Sequence, residues 1–176
     1  NGGIGSGGCI EIQHAIPVRV ARASDMKHYL PPAVPLPNVQ LELDRITPLR
    51  TILDRLRSLS STLYVTGNPS GQLILTTDGN DQNGSGCSIR TVLDGLIPRM
   101  EACKPDASGA CTVKVDSKKI AMCLQWQQQT ALVSSASLGL MENEALVLHA
   151  MLNPSDVGFF TYYIPVHFLS NDPSEE

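Results

Sequence analysis

Long apolar runs are missing from this sequence, and none approaches the roughly 20 residues that a membrane-spanning helix requires. No secretory signal peptide is visible. The five cysteines include no Cys-x-x-Cys pair and no zinc-finger spacing, and their odd number favours a reduced intracellular compartment. With 176 residues and 42% hydrophobic content, the chain is long enough for one substantial core, which predicts a soluble single domain.

Motifs for catalysis are also missing. The serine-rich segments 58–61 and 134–137 lack the Gly-x-Ser-x-Gly elbow of hydrolases. The Gly-rich start, residues 2–8, lacks the Lys and the following helix of a phosphate-binding loop. Four histidines have no metal or nucleophile partner at a recognisable spacing: His14, His28, His149 and His167. We therefore expect no enzymatic activity, no metal and no cofactor.

An internal repeat is the most informative feature that is present. Two stretches about 70 residues apart, marked by Leu41 and Val113, follow the same order of predicted elements. The first begins with an alternating strand at 39–43, and Thr47-Pro48 then starts a helix expected to end near Ser60. That helix carries an apolar stripe: Leu49, Ile52, Leu53, Leu56 and Leu59.

Strands complete both halves of the repeat. In the first half, runs at 62–66 and 72–77 form a hairpin around a Gly/Pro turn, and 87–93 is a third strand or the start of a helix, with the strand favoured. The second half has a strand at 111–115, a helix capped by Asp116 with Ile120, Cys123 and Leu124 inward, and strands within 131–136, 145–152 and 157–166. Turns are expected at 139–143 and 153–156. The pattern predicts βαβββ twice, an α+β fold.

Several short segments resemble a known family, in the same order along the chain. They are His14-Ala-Ile-Pro-Val-Arg-Val20, Val39-Gln-Leu-Glu-Leu43 with the Leu-rich helix, the hairpin Leu63-Tyr-Val65 to Gly71-Gln-Leu-Ile-Leu75, and Tyr162-Tyr-Ile-Pro165. The chain thereby resembles the Hus-one family of the nine-one-one checkpoint clamp over most of residues 10–168. Its Tyr-Tyr ending is also similar to the proliferating-cell clamp. The resemblance implies a DNA sliding-clamp domain with two helices on one face of antiparallel sheets.

The resemblance also implies a domain organisation. Clamp subunits of this family have two domains, so the chain looks like a C-terminal half, and trimming of a longer chain is the alternative explanation for its start at Asn1. Residues 1–20 would end the N-terminal domain, 21–38 would be the connector, 39–168 the C-terminal domain and 169–176 an acidic tail. Within 78–109, the part from Leu96 to Gly109 is longer than a sheet connection needs, which predicts an insertion that is either a surface loop or a partner site.

Charge restricts where nucleic acid could bind. The net charge is −4, with 13 basic and 17 acidic residues, which argues against a protein that coats nucleic acid with its whole surface. Clamps resemble acidic rings with a basic lining, so the candidates for DNA contact lie on and beside the two helices. They are Arg45, Arg50, Arg55, Arg57, Lys118 and Lys119. The alternative is an ordinary solvated face, in which Arg50 pairs with Asp54 and Arg57 also neighbours that carboxylate.

Two further surfaces follow from the resemblance. Prolines at 31, 32, 35 and 37 predict an extended connector without a helix. Its apolar residues and the C-terminal Tyr-Ile-Pro would together wall a hydrophobic pocket for peptide motifs of repair proteins: Met26, Tyr29, Leu30, Tyr163, Ile164 and Pro165. In the alternative, the connector residues merely hold the linker on the domain. Subunits would join by edge strands, supplied here by the hairpin or by the strand after it.

The function implied by the resemblance is that of a non-catalytic subunit of a heterotrimeric DNA-damage checkpoint clamp in the nucleus. Its partners would be Rad-nine and Rad-one subunits, a clamp loader, double-stranded DNA at damage junctions, and checkpoint and repair proteins with peptide motifs. Two alternatives stay open at this point: a homotrimeric replicative clamp, and an interaction domain without a DNA role.

Overall fold

The structure is a computed structural model that describes residues 15, 17–43, 49–79, 88–107, 109–125, 133–154 and 157–168. The chain divides into two compact units, residues 1–33 and residues 34–176. Within the described ranges, no helix has the length and apolar content needed to cross a membrane. The acidic tail, 169–176, lies outside the described residues. Of residues 10–20, which the resemblance assigns to the last strand of an N-terminal domain, 15 and 17–20 are described and have no regular structure.

The first unit contains one short 3-10 helix, Ala23–Tyr29, none of whose residues is buried. The prediction of a fully extended connector is therefore wrong for this segment. The prolines prevent a helix only from Pro31 onward. Leu30, the residue before Pro31, is extended with φ −69° and ψ 143°. Residues 31–37 have no regular structure, as their proline content predicts.

The second unit contains two helices and nine strands within its described residues. In chain order they are β1 Val39–Leu43, α1 Leu49–Leu56, β2 Thr62–Gly67, β3 Leu73–Thr77, β4 Arg90–Leu93, β5 Ile97–Pro98, β6 Cys111–Asp116, α2 Ser117–Cys123, β7 Val133–Met141, β8 Ala145–Leu152 and β9 Phe159–His167. The predicted βαβββ order is confirmed in both halves, with β5 and a 3-10 turn, Met100–Ala102, inserted between them.

All strands form one antiparallel sheet in the order β4-β3-β2-β6-β9-β8-β7-β1-β5. Strand β9 joins the two halves of this sheet. It pairs with β8 from Phe159 to Pro165, but with β6 only at Val166 and His167. The ends of the sheet are β4 and β5, so the hairpin strand β3 is interior and the strand after it is an edge.

The core lies between the sheet and the two helices. Strands β1, β2, β3 and β6 alternate buried and half-buried positions, as the sequence pattern predicts for one covered face. Helix α1 buries Leu49, Leu53 and Leu56, and α2 buries Ile120 and Ala121. Because the stripe on each helix faces the same core, the two helices occupy one side of the sheet.

Helix α1 ends at Leu56, four residues before the predicted end at Ser60. The Ser58 hydroxyl donates to the Arg55 carbonyl at 2.6 Å, and the chain then turns. The turn carries Ser60 into the core at 2% exposure and leaves Leu59 38% exposed. Leu59 was predicted on the apolar stripe of the helix, and that prediction is wrong because the helix does not reach it.

Two connections also differ from their predictions. The turn expected at 139–143 is confined to 142–144, because β7 continues through Met141. Gly139 lies inside this strand and packs against Pro37, where an added Cβ would lie 3.4 Å from the Pro37 Cβ, an ordinary van der Waals distance. The predicted insertion from Leu96 to Gly109 contributes β5 to the sheet edge, and the Arg99 amide donates to the Gln40 carbonyl at 2.8 Å.

Candidate nucleic-acid interface

The two helices lie side by side and antiparallel, and hydrogen bonds join them at both ends. At one end the fully buried Ser117 hydroxyl, at the start of α2, donates to the Ser60 carbonyl beyond the end of α1 at 2.7 Å. At the other end Arg50 Nη1, in the first turn of α1, donates to the Ala121 carbonyl at 2.6 Å. These contacts fix the relative position of the two helices, which we call the helix pair.

Asp116 caps α2 as the sequence predicts. Its Oδ1 accepts hydrogen bonds from the Lys118 amide at 2.8 Å and the Lys119 amide at 3.0 Å. The cap satisfies two amides that have no partner within the helix, which matters because a seven-residue helix is not stable in isolation. Both lysine side chains are exposed on the first turn.

Arg50 is not presented as an exposed cation. Its side chain is 14% exposed, and besides the Ala121 carbonyl it contacts Asp54, with 2.6 Å between Nε and Oδ2. A cation at the C-terminus of a helix is favourable, so Arg50 stabilises the end of α2. The hydrogen bond from Arg50 is the main reason that the pKa of Asp54 lies below its usual value.

Four of the six candidate cations are exposed: Arg55, Arg57, Lys118 and Lys119. Arg57 lies next to Asp54, with 3.1 Å between Nε and Oδ1. No ion pair involves Arg55, Lys118 or Lys119 within the part of the chain that the structure describes. The sixth candidate, Arg45, lies outside the described residues. The helix pair therefore carries four exposed cations, and one of them, Arg57, forms an ion pair with Asp54.

The structure brings the C-terminal residues of the predicted peptide pocket together with α2. Tyr163, Ile164 and Pro165 line an apolar cavity of about 200 Å³. The other lining residues are Lys119, Met122 and Cys123. None of these three was predicted as a pocket residue, although an apolar Met122 on the polar side of an amphipathic helix was a signal. It is 62% exposed.

The connector residues of the predicted pocket belong to the first unit. Met26 is 51% exposed, Tyr29 is 70% exposed and Leu30 is 68% exposed. Large apolar side chains at this exposure are candidates for contact with another surface. Their participation in a peptide pocket stays a prediction.

Three thiols and the His149 imidazole are possible reactive groups of the second unit. Burial is the first cause that raises the pKa of the Cys103, Cys111 and Cys123 thiols, that of Cys111 to about 11. A reactive cysteine needs a lowered pKa. The His149 Nδ1 lies 2.9 Å from the Thr161 hydroxyl, and its ring packs on Phe159. No group of three or more metal-binding side chains occurs among the residues described.

Comparison with solved structures identifies the fold. The chain is similar to the crystal structure of PCNA from Thermococcus kodakaraensis, with a TM-score of 0.58 and 18% identity over 78% of this chain and 50% of that one. It is also similar to the proliferating cellular nuclear antigen of Entamoeba histolytica, with a TM-score of 0.59 and 13% identity over 79% and 49%. The fold is that of a sliding-clamp domain, and the chain spans about half the length of these clamps.

The sequence comparison matches one family model over less than half of the chain. A family model described as Hus1-like protein matches residues 6–82. No curated protein matches the chain. The family match and the clamp fold together support a Hus1-like clamp-family protein, so the resemblance stated from the sequence is confirmed.

Proposed function

We propose that this chain forms the C-terminal part of a non-catalytic subunit of a heterotrimeric DNA-damage checkpoint clamp that encircles DNA in the nucleus. The observation that carries the proposal is that four basic side chains of the helix pair are exposed: Arg55, Arg57, Lys118 and Lys119. The family match and the clamp fold support the same assignment. The other partners we propose are Rad-nine and Rad-one subunits, a clamp loader, and checkpoint and repair proteins with peptide motifs.

Phosphate contact is the interaction that this surface suits. Arginine and lysine side chains on a rigid helix pair bind phosphate oxygens without reading base sequence, which is what a protein that slides along DNA requires. The rest of the molecule has an excess of acidic residues, so attraction to DNA would be confined to this surface. We propose that Arg45 contributes to the same surface.

Two protein contacts complete the proposal. The apolar cavity beside Tyr163, Ile164 and Pro165 would bind a short apolar peptide. The part that the resemblance gives to Met26, Tyr29 and Leu30 stays a prediction. The edge strand β4 would pair with a strand of a neighbouring subunit, because an edge strand offers unpaired amide and carbonyl groups. Its exposed apolar residue Val92 supports such a contact.

The DNA contact is tested with the double variant K118Q/K119Q. Binding to a fluorescein-labelled double-stranded oligonucleotide of mixed sequence is followed by anisotropy from low to physiological salt. If each lysine contacts one phosphate, the slope of log affinity against log salt falls in magnitude by about 1.8. The matched control R99Q/K104Q removes two cations that lie away from the helix pair, and we expect it to leave the slope unchanged. Equal slopes for wild type and K118Q/K119Q would refute the DNA contact and favour an interaction domain.

A further inference from the structure

One acidic side chain lies between two arginines on the helix pair. Asp54 Oδ2 accepts a 2.6 Å hydrogen bond from Arg50 Nε, whereas Arg57 Nε lies 3.1 Å from Oδ1. Oδ1 is buried and has no hydrogen-bond partner among the residues that the structure describes, so the contact with Arg57 is an ion pair without hydrogen-bond alignment. The carboxylate therefore interacts more closely with Arg50 than with Arg57.

The two arginines differ in what else they contact. Arg50 is 14% exposed and also donates to the Ala121 carbonyl, so it is held by both helices. Arg57 follows the last residue of α1, and its side chain is 42% exposed. Arg57 is thus the member of this cluster that solvent or a phosphate can reach.

We propose that Arg50 is a positioning residue that occupies Asp54 and thereby leaves Arg57 able to contact a phosphate group of DNA. The inference rests on the proposed function, because it assigns a role within the same surface. Without Arg50, Asp54 retains Arg57 as its one arginine partner among the described residues. The Arg57 amide donates to the Leu53 carbonyl at 2.9 Å, so Arg57 continues the helical turn and the i,i+3 spacing keeps the two side chains close. Arg57 would then form the aligned hydrogen bond with Asp54, and the surface would lose one phosphate contact.

Two other roles for Arg50 predict different results. If Arg50 only holds the two helices together, its loss weakens DNA binding because the hydrogen bond to the Ala121 carbonyl is missing. If Arg50 contacts DNA itself, its loss removes a phosphate contact directly. Neither role involves Asp54, so removal of the Asp54 charge distinguishes both of them from the proposal.

The test uses R50M, which removes the charge and keeps an unbranched side chain, and the double variant R50M/D54N. R50M is expected to reduce the magnitude of the salt slope by about 0.9, as R57Q does, because one phosphate contact is lost. R50M/D54N is expected to restore the wild-type slope, although the hydrogen bond to Ala121 is still missing. The triple variant R50M/D54N/R57Q is the matched control, and the restoration should disappear in it.

The outcomes separate this inference from the proposed function. A wild-type protein without salt-dependent DNA binding overturns both. The positioning role alone is overturned if K118Q/K119Q weakens DNA binding but the salt slope of R50M/D54N is no larger in magnitude than that of R50M. Restoration that persists without Arg57 also overturns it. Circular dichroism confirms folding of each variant, and R50Q, which also removes the charge, replaces R50M if the latter does not fold.

Discussion

Substitution of Gly71 by alanine tests a close contact that fixes the edge of the sheet. Gly71 ends the turn between β2 and β3 with φ +84°, and its carbonyl accepts a hydrogen bond from the Leu96 amide at 3.0 Å. A Cβ at this position would lie 2.1 Å from the Leu96 carbonyl oxygen, so the backbone after β4 must move. Gly95 is a matched control, because its φ is +78° but a Cβ there meets nothing within 4 Å.

The expected costs follow from these two geometries. Both G71A and G95A place alanine in a left-handed conformation, which costs about 1 to 2 kcal/mol. G71A adds about 1 to 3 kcal/mol for the steric displacement and about 0.5 to 1.5 kcal/mol for the weakened hydrogen bond to Leu96. We therefore expect G71A to lower the free energy of unfolding by about 2.5 to 6.5 kcal/mol, against about 1 to 2 kcal/mol for G95A.

Urea unfolding followed by circular dichroism measures both values. We expect the urea midpoint of G71A to fall well below that of G95A, with similar slopes of the free energy of unfolding against urea concentration. It would be refuted by two variants whose unfolding free energies differ by less than about 0.5 kcal/mol. Such a result would mean that Leu96 does not approach the hairpin turn as described.

Three other predictions concern single side chains. D116A should lower the free energy of unfolding, measured with urea, by about 1 kcal/mol. D116N, which can still cap α2, should lower it much less, and equal losses for the two variants would contradict the capping role. The thiol of Cys111, with its pKa raised from 9.0 to about 11, should stabilise the fold below pH 9 and lose this contribution as pH rises toward 11. A pH titration of the thiolate absorbance at 240 nm, compared between wild type and C111A, measures the pKa of this thiol. Ionisation of Cys111 near pH 9 in the folded protein would contradict the prediction. Asp54, whose pKa is lowered chiefly by the hydrogen bond from Arg50, should contribute stability above pH 3.8 that is lost as pH falls through its folded value. The free energy of unfolding of D54N should not show this fall at acid pH. If D54N and wild type lose stability equally as pH falls, the contact with Arg50 is contradicted.

Local sequence signals were sufficient for most elements of the fold. Alternation predicted β1, β2, β3 and β6, and a single side chain, Asp116, marked the start of α2. These features depend on residues that are neighbours in the chain, so the sequence pattern contains the necessary information. The order of βαβββ in both halves followed from them.

The errors arose where distant residues decide the local structure. The end of α1 depends on burial of Ser60, whose carbonyl accepts from Ser117, 57 residues away along the chain. Strand β5 forms only because β1 offers a free edge to Ile97 and Pro98. Neither pairing has a local signature in the sequence.

The candidate site shows the same limit. The basic residues of both helices were identifiable from the sequence, and so was the spacing of Arg50 and Asp54. The hydrogen bond from Arg50 to Ala121 joins residues 71 positions apart, and it makes Arg50 a contact between helices instead of an exposed cation. Only the folded arrangement distinguishes Arg50 from Arg57.

Light scattering of the assembled protein tests the central claim, membership of a heterotrimeric clamp, most directly. The chain, extended by the N-terminal domain proposed for it, is expressed alone and together with Rad-nine and Rad-one subunits, and the mass of each sample is measured. The account predicts a complex with one copy of each subunit and no stable trimer of the chain alone. A homotrimer would contradict it in favour of a replicative clamp, and a monomer in every mixture would contradict ring formation altogether.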